Sequence, residues 1–178
     1  MRCFITLLLC ALCITTFSLE RDFNTPEKSM KSFFPGAEIE VKNLIISKDQ
    51  RRRIEKIART PLRTRLISIY IAKRGEKIVG YGYVDVHRVR THNESVLFAI
   101  DPKGNIVGIE VLSFNEPLEY MADDNWLQIF KGKSIDKDRL RLGRDIPNMT
   151  GATLTARAIT RASRLALAIW KVLYGEEK

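Results

Sequence analysis

The stretch from residue 61 to residue 114 constrains the fold most, because it alternates apolar and polar residues with the two-residue period of β-strands. Turn residues interrupt it, most clearly at Asp101-Pro102-Lys103-Gly104-Asn105. Short turns of this kind join antiparallel neighbours. Together with an earlier strand, the pattern predicts a small, mainly antiparallel sheet with strands at residues 38–46, 66–71, 78–89, 95–100 and 106–114.

Helical patterns lie on both sides of these strands. Thr25-Pro26 has the form of an N-cap followed by a first-turn proline, and Ser47 with Gln50 has the form of a capping box. The last helix is predicted from about Thr155, with an apolar stripe at spacings of three and four formed by Ala158, Ala162, Leu165, Ile169 and Leu173. The fold class is therefore α+β, a small antiparallel sheet flanked by helices with a long C-terminal amphipathic helix.

Two glycines interrupt the longest predicted strand. Gly80-Tyr81-Gly82 lacks the third glycine and the following helix of a dinucleotide-binding fingerprint. Glycines inside a strand mark a bulge or a close approach of another part of the chain to the backbone. We therefore expect a packing role for Gly80 and Gly82.

The N-terminus has the form of an export signal. A basic start at Met1-Arg2 precedes the apolar run 3–17, which is too short to span a bilayer, and Thr16 and Ser18 offer a cleavage site. We expect a signal peptide at 1–18, an N-terminal segment with a short helix at 19–36 and one binding domain at 37–178. Two alternatives are an uncleaved anchor, and lipid attachment at Cys10 or Cys13, although the residue before each cysteine is a leucine instead of a small residue.

The cysteines and the charge limit the chemistry. All three cysteines lie in the predicted signal, so the mature chain has no disulfide, thiolate metal site or cysteine nucleophile. The net charge of +9 suits anionic lipid or an acidic partner protein. Export to the periplasm, or to another space outside the cytoplasm, argues against nucleic acid.

A run of small and hydroxylated residues, Thr150-Gly151-Ala152-Thr153-Leu154-Thr155, stands where the last helix begins. The first N–H groups of a helix have no acceptor within it, and the helix dipole favours negative charge there. With hydroxyls at the same place, this run suits a phosphate group. The alternative is an ordinary helix start in which Thr153 or Thr155 is the N-cap.

The same run resembles the [Ser/Thr]-Gly-Ala-Thr flavinylation motif of the FMN-binding domain family. That family includes subunits of the sodium-pumping NADH:quinone reductase and of the Rnf complex. The resemblance implies covalent FMN joined through its phosphate to Thr153, with contacts from Thr150, Gly151, Ala152, Leu154 and Thr155. It further implies loading by a separate exported flavin transferase, and action as an electron carrier instead of a stand-alone enzyme.

The segment from Asn115 to Lys133 is rich in acids and aromatics and follows a central strand. It extends the resemblance, since related proteins carry Glu-Pro, then an aromatic, then Trp and Phe-x-Gly-Lys. We expect Glu116 and Tyr120 to lie beside the flavin, with Glu116 on the ordinary surface as the alternative. Trp126 and Phe130 are also interpretable as core partners on a short helix. One departure is Pro147, where many family members have aspartate.

Other functions remain open at this level. His87 and His92 are five residues apart with no cysteine nearby, which disfavours a metal site. The predicted basic face of the last helix, Arg157, Arg161, Arg164 and Lys171, could dock on a membrane or on an exported redox protein. The alternatives to a covalent flavin carrier are a non-redox docking module and a flavin reductase with dissociable FMN.

Overall fold

The computed structural model describes residues 23–175, so the predicted signal peptide lies outside the described residues. The predicted α+β class is confirmed. The sheet consists of β1 Glu38–Ile45, β2 Leu66–Arg74, β3 Lys77–Arg88, β4 Asn93–Ile100 and β5 Ile106–Phe114. The helices are α1 Pro26–Phe33, α2 Lys48–Ala58, α3 Asp124–Gln128 and α4 Thr153–Tyr174, and a 3₁₀ turn covers Leu118–Tyr120.

The five strands form one antiparallel sheet in sequence order, so that each strand pairs with its neighbour in the chain. The pairing of β2 with β3 has one consequence for the site. The last paired residues at one end are Ile69 and Tyr83. Beyond this pair, β2 has three more residues from Leu66, and β3 continues to Arg88. The two strands therefore separate at this end and leave an opening in the sheet.

One face of the sheet is covered by α1. Thr25 caps this helix by accepting a hydrogen bond from the backbone N–H of Lys28, and Pro26 occupies its first turn, as predicted. Met30 and Phe34 are buried in a cluster that includes Ala72, Leu97 and Leu112.

Three strand glycines make room for this helix. A Cβ on Gly80 would lie 2.1 Å from the ring of Phe34, one on Gly82 would lie 2.4 Å from the sulfur of Met30, and one on Gly108 would lie 2.2 Å from the ring of Phe33. The close approach predicted for Gly80 and Gly82 is confirmed.

The other face of the sheet packs against α4 and α2. The predicted capping box of Ser47 and Gln50 is present at the start of α2. The apolar stripe of α4 is buried except for Leu173, which is partly buried. The helix is more enclosed than one stripe requires, because Ile159, Leu167 and Trp170 are also buried. The loop from residue 129 to 152 and helix α2 cover α4 on the sides that face away from the sheet.

Arg164 departs from the predicted basic face of α4, because its side chain is engaged within the fold. Its guanidinium donates hydrogen bonds to the carbonyl oxygens of Ala58 at 3.0 Å and Leu140 at 2.8 Å. Both acceptors lie where the backbone has positive φ: Leu140 is itself such a residue, and Ala58 is followed by another, Arg59. Burial, followed by the nearby charges of Arg161 and Arg59, lowers the pKa of Arg164. Arg164 thus joins three segments of the domain, whereas Arg157 and Arg161 are exposed.

Between residues 23 and 175, no helix has the length and apolar character needed to cross a bilayer.

Candidate functional site

The threonine motif lies at the start of α4 in an open conformation. Ala152 is the N-cap and makes no side-chain capping bond, so the predicted alternative of Thr153 or Thr155 as N-cap is wrong. Thr153 is the first helical residue and is exposed, and its hydroxyl makes only a long 3.4 Å hydrogen bond to the carbonyl of Met149. The first N–H groups of α4 and the Thr153 hydroxyl therefore occupy the same accessible corner.

The backbone before α4 turns sharply to reach this corner. Gly151 has φ of +78°, a left-handed conformation that favours glycine, and a Cβ there would meet nothing within 4 Å. Thr150 beside it is exposed, whereas Ala152 is buried. The indole N–H of Trp126 donates to the carbonyl of Pro147 at 2.9 Å and holds the preceding segment in place.

Thr155 and Tyr120, both predicted site residues, are in direct contact. The Thr155 hydroxyl is buried and donates to the Tyr120 carbonyl at 2.6 Å. The guanidinium of Arg90 lies 4.9 Å from the centre of the Tyr120 ring. The loop after β5 is therefore attached to the start of α4 on one side and to the β3–β4 turn on the other.

Glu116 is buried, and the alternative that placed it on the ordinary surface is wrong. One carboxylate oxygen accepts three backbone N–H groups of the β3–β4 turn, from Arg90 at 3.1 Å, Thr91 at 2.6 Å and His92 at 2.8 Å. These bonds, that from His92 foremost, lower the pKa of Glu116 to about 2 despite its burial. Glu116 is therefore an ionised clamp on this turn.

Trp126 and Phe130 are buried core residues whose rings meet edge to face at 5.2 Å, which confirms the core interpretation. The apolar part of the loop after β5 thus anchors this loop in the core.

A cavity of about 380 Å³ lies in the opening between β2 and β3. This volume is in the range of small-molecule sites. The walls are the chain from Thr60 to Ser68, strand β3 from Tyr83 to His87, and one face of α4 formed by Ala158, Arg161, Ala162 and Leu165. Leu154 is 44% exposed and begins the same helical row, at four residues before Ala158, so the row leads from the motif into the cavity.

Sequence reasoning missed a polar cluster in this wall. His87 is buried, and its two ring nitrogens lie 2.8 Å from a carboxylate oxygen of Asp85 and 2.8 Å from one of Glu94. Burial acts to lower the pKa of His87, but the hydrogen bonds and charges of the two carboxylates outweigh it and raise the pKa to about 9. Alternation along β3 puts 85 and 87 on one face, and this signal could have suggested the pair.

In the described part of the chain, residues 23–175, no group of three or more His, Cys, Asp or Glu side chains is arranged to hold a metal ion.

Two comparisons with known proteins found a similarity. Residues 92–168 match the family model described as FMN-binding domain. Among solved structures, the chain is similar to NqrC from Shewanella oneidensis, with a TM-score of 0.56 and 19% identity over 82% of this chain and 86% of that chain. At this identity the likeness shows a common fold. No curated protein matches the chain significantly. Residues 92–168, which include the threonine motif and most of α4, are thus the part of the chain that is similar to the FMN-binding domain family.

Proposed function

We propose that this protein carries FMN covalently, through a phosphoester to the Thr153 hydroxyl, and acts as an electron-transfer module outside the cytoplasm. The observation that carries the proposal is the exposed, uncapped position of Thr153 at the first turn of α4. The match to the FMN-binding domain family over this region supports the choice of cofactor.

The residues present suit such a group in three ways. The open helix start offers N–H donors and a favourable dipole to a phosphate. The left-handed Gly151 keeps side chains away from the approach to Thr153. The cavity between β2 and β3 is reached along the α4 row from Leu154 and has room for a flavin ring system.

Attachment requires help from another protein. The hydroxyl of Thr153 has one hydrogen-bonding partner, the Met149 carbonyl, which cannot take up its proton as a base would. We therefore propose a separate exported flavin transferase that recognises the motif, with Pro147 in place of the aspartate that many family members have. FMN supplies one- and two-electron chemistry when bound, and this chain positions it and sets its electrostatic surroundings.

A covalent link suits an exported carrier, because a tethered cofactor stays at high local concentration when a dissociated one would be diluted. The exchange partner is proposed to be a membrane or exported redox protein. The exposed Arg157 and Arg161 next to the site offer positive charge to an acidic partner or to an anionic membrane surface.

The test is intact mass after co-expression with a flavin transferase in an exporting host. Wild type should gain the mass of FMN less one water, and peptide mapping should find it on Thr153. Thr153→Ala should gain no mass and keep its fold, because the side chain is exposed and caps nothing.

Thr25→Ala is the control, because Thr25 is an exposed threonine at the start of α1, outside the motif, and should leave loading intact. Flavin mapped to Thr150 or Thr155 contradicts the assigned attachment site. Flavin that leaves on denaturation shows an FMN binder without a covalent link. Recovery of protein with an intact Met1 in the cytosol contradicts the proposed export.

A further inference from the structure

The cluster of Asp85, His87 and Glu94 has more hydrogen-bond acceptors around the imidazole ring than a neutral ring has protons to donate. Both ring nitrogens of His87 face carboxylate oxygens, and a neutral imidazole has only one N–H to donate. The geometry therefore needs a proton on both ring nitrogens, or one shared with a carboxyl group. With the imidazolium present, the cluster carries one net negative charge in a largely buried position.

One atom of this cluster has no partner. Glu94 is fully buried, and its second oxygen, Oε1, makes no hydrogen bond, while Oε2 faces His87. Burial raises the pKa of Glu94, and the charge of Asp85 adds to the rise, while His87 opposes it. A buried carboxylate oxygen without a donor is costly, and a proton removes that cost. Glu94 is thus the group of the cluster most ready to take up a further proton.

The cluster belongs to the wall of the cavity. Asp85 and His87 line it, and Asp85 accepts a 3.4 Å hydrogen bond from the Tyr83 hydroxyl. Burial and the Asp85 charge raise the pKa of Tyr83, so its hydroxyl stays neutral. The charged groups facing the same space from other elements are Arg63 before β2 and Arg161 on α4.

We propose that Asp85, His87 and Glu94 form a proton-accepting group that takes up one proton at Glu94 when negative charge enters the cavity. The inference rests on the proposed function, in which reduction of the tethered flavin supplies that charge. The Glu94 carboxylate then becomes a carboxylic acid with a proton from water. The electrons go from the reductant to the flavin, and no other bond in the cluster forms or breaks.

The test is reduction of the FMN-loaded full chain with dithionite at a series of pH values. One extra proton for two electrons is a tenfold change in the equilibrium per pH unit, which is about 30 mV per pH unit for a two-electron couple. The potential of wild type should fall more steeply with pH than that of Glu94→Gln by this amount. Glu38→Gln is the control, because Glu38 is an exposed glutamate of β1, and it should keep the wild-type slope.

Two readouts do not need the variant to fold. The reduced-minus-oxidised infrared spectrum of wild type should show a new carboxylic acid band. Nitrogen-15 NMR of flavin-free protein should show both His87 ring nitrogens protonated at neutral pH. Equal slopes, or reduction without the carboxylic acid band, overturn the proposal.

Intact mass is recorded first and separates this proposal from the proposed function. Loaded protein that takes up no extra proton overturns the coupling alone. Protein without FMN on Thr153 overturns the covalent link alone. The proposed proton uptake is then still tested, because the same titration is carried out with dissociable FMN.

Discussion

The hydroxyl of Thr155 donates a 2.6 Å hydrogen bond to the carbonyl oxygen of Tyr120, across 35 positions of sequence. This bond joins the first turn of α4 to the loop after β5, and Arg90 extends the link to the β3–β4 turn by lying over the Tyr120 ring. Because Thr153 is two residues before Thr155, the bond also fixes where the proposed attachment site stands relative to the rest of the domain.

Thr155→Val removes this bond while keeping the shape of the side chain. We expect a loss of about 1 kcal/mol in the free energy of unfolding, since a buried hydroxyl contact is lost and the Tyr120 carbonyl loses a donor. Covalent FMN should remain, because Thr155 is not the acceptor. Urea denaturation and intact mass measure the two effects.

Thr160→Val is the matched control for this change. Thr160 is as buried as Thr155 on the same helix, but its hydroxyl donates to the Ala156 carbonyl, which is already an acceptor in the helix. Its loss should be smaller. Equal losses in the two variants contradict a special role for the Thr155–Tyr120 bond.

Glu116→Gln should remove a pH-dependent part of the stability. The folded-state pKa is lowered from the ordinary 4.5 to about 2, so the ionised carboxylate stabilises the fold fully above 4.5 and progressively less as the pH falls through about 2. The difference between wild type and variant should therefore be largest at neutral pH and shrink between these values. Denaturation curves over this pH range measure it, and a difference that does not change with pH would falsify the clamp.

Gly80→Ala should weaken the packing of α1. The added methyl group would come within 2.1 Å of the Phe34 ring, which is buried and has little room to move. We expect a loss of about 1–3 kcal/mol, typical of an overfilled core. Phe34→Ala vacates that space, so adding Gly80→Ala to Phe34→Ala should cost much less. A double-mutant cycle by urea denaturation measures this, and additive losses refute the steric explanation.

Arg164→Met should be more harmful than a surface change on the same helix. It removes two hydrogen bonds, to Ala58 and Leu140, and leaves both carbonyl oxygens without this donor. A loss of about 2 kcal/mol is expected for charged hydrogen bonds of this kind. Arg157→Met, at an exposed position, should stay within about 0.5 kcal/mol of wild type by thermal or urea unfolding.

Local signals predicted much of this fold correctly. The bounds of β5 and the caps of Thr25 and Ser47 match, because alternation and capping depend on neighbours in the sequence. Gly80 and Gly82 were interpretable as sites of close approach, although no local pattern could show that α1 is the partner.

Features that depend on distant segments could not be predicted in this way. Arg164 has the spacing of a solvated face, yet its partners are 106 and 24 positions away. Glu116 clamps a turn that begins 26 positions earlier in the chain. The cavity exists because β2 and β3 stop pairing at Ile69 and Tyr83, and neither strand sequence marks this point. The motif identified the helix start, while the space beside it follows from the topology.

The packing of α1 against the strand glycines has a consequence for the order of folding. This helix is made before any strand, but its side chains pack against positions as late as Gly108 and Leu112. The ring of Phe33 therefore stays in contact with water until β5 has paired, so the first of the described elements to be synthesised is among the last to be fully buried. A growing chain stalled before residue 106 should expose this apolar helix to chaperones, and release of β5 should end that binding.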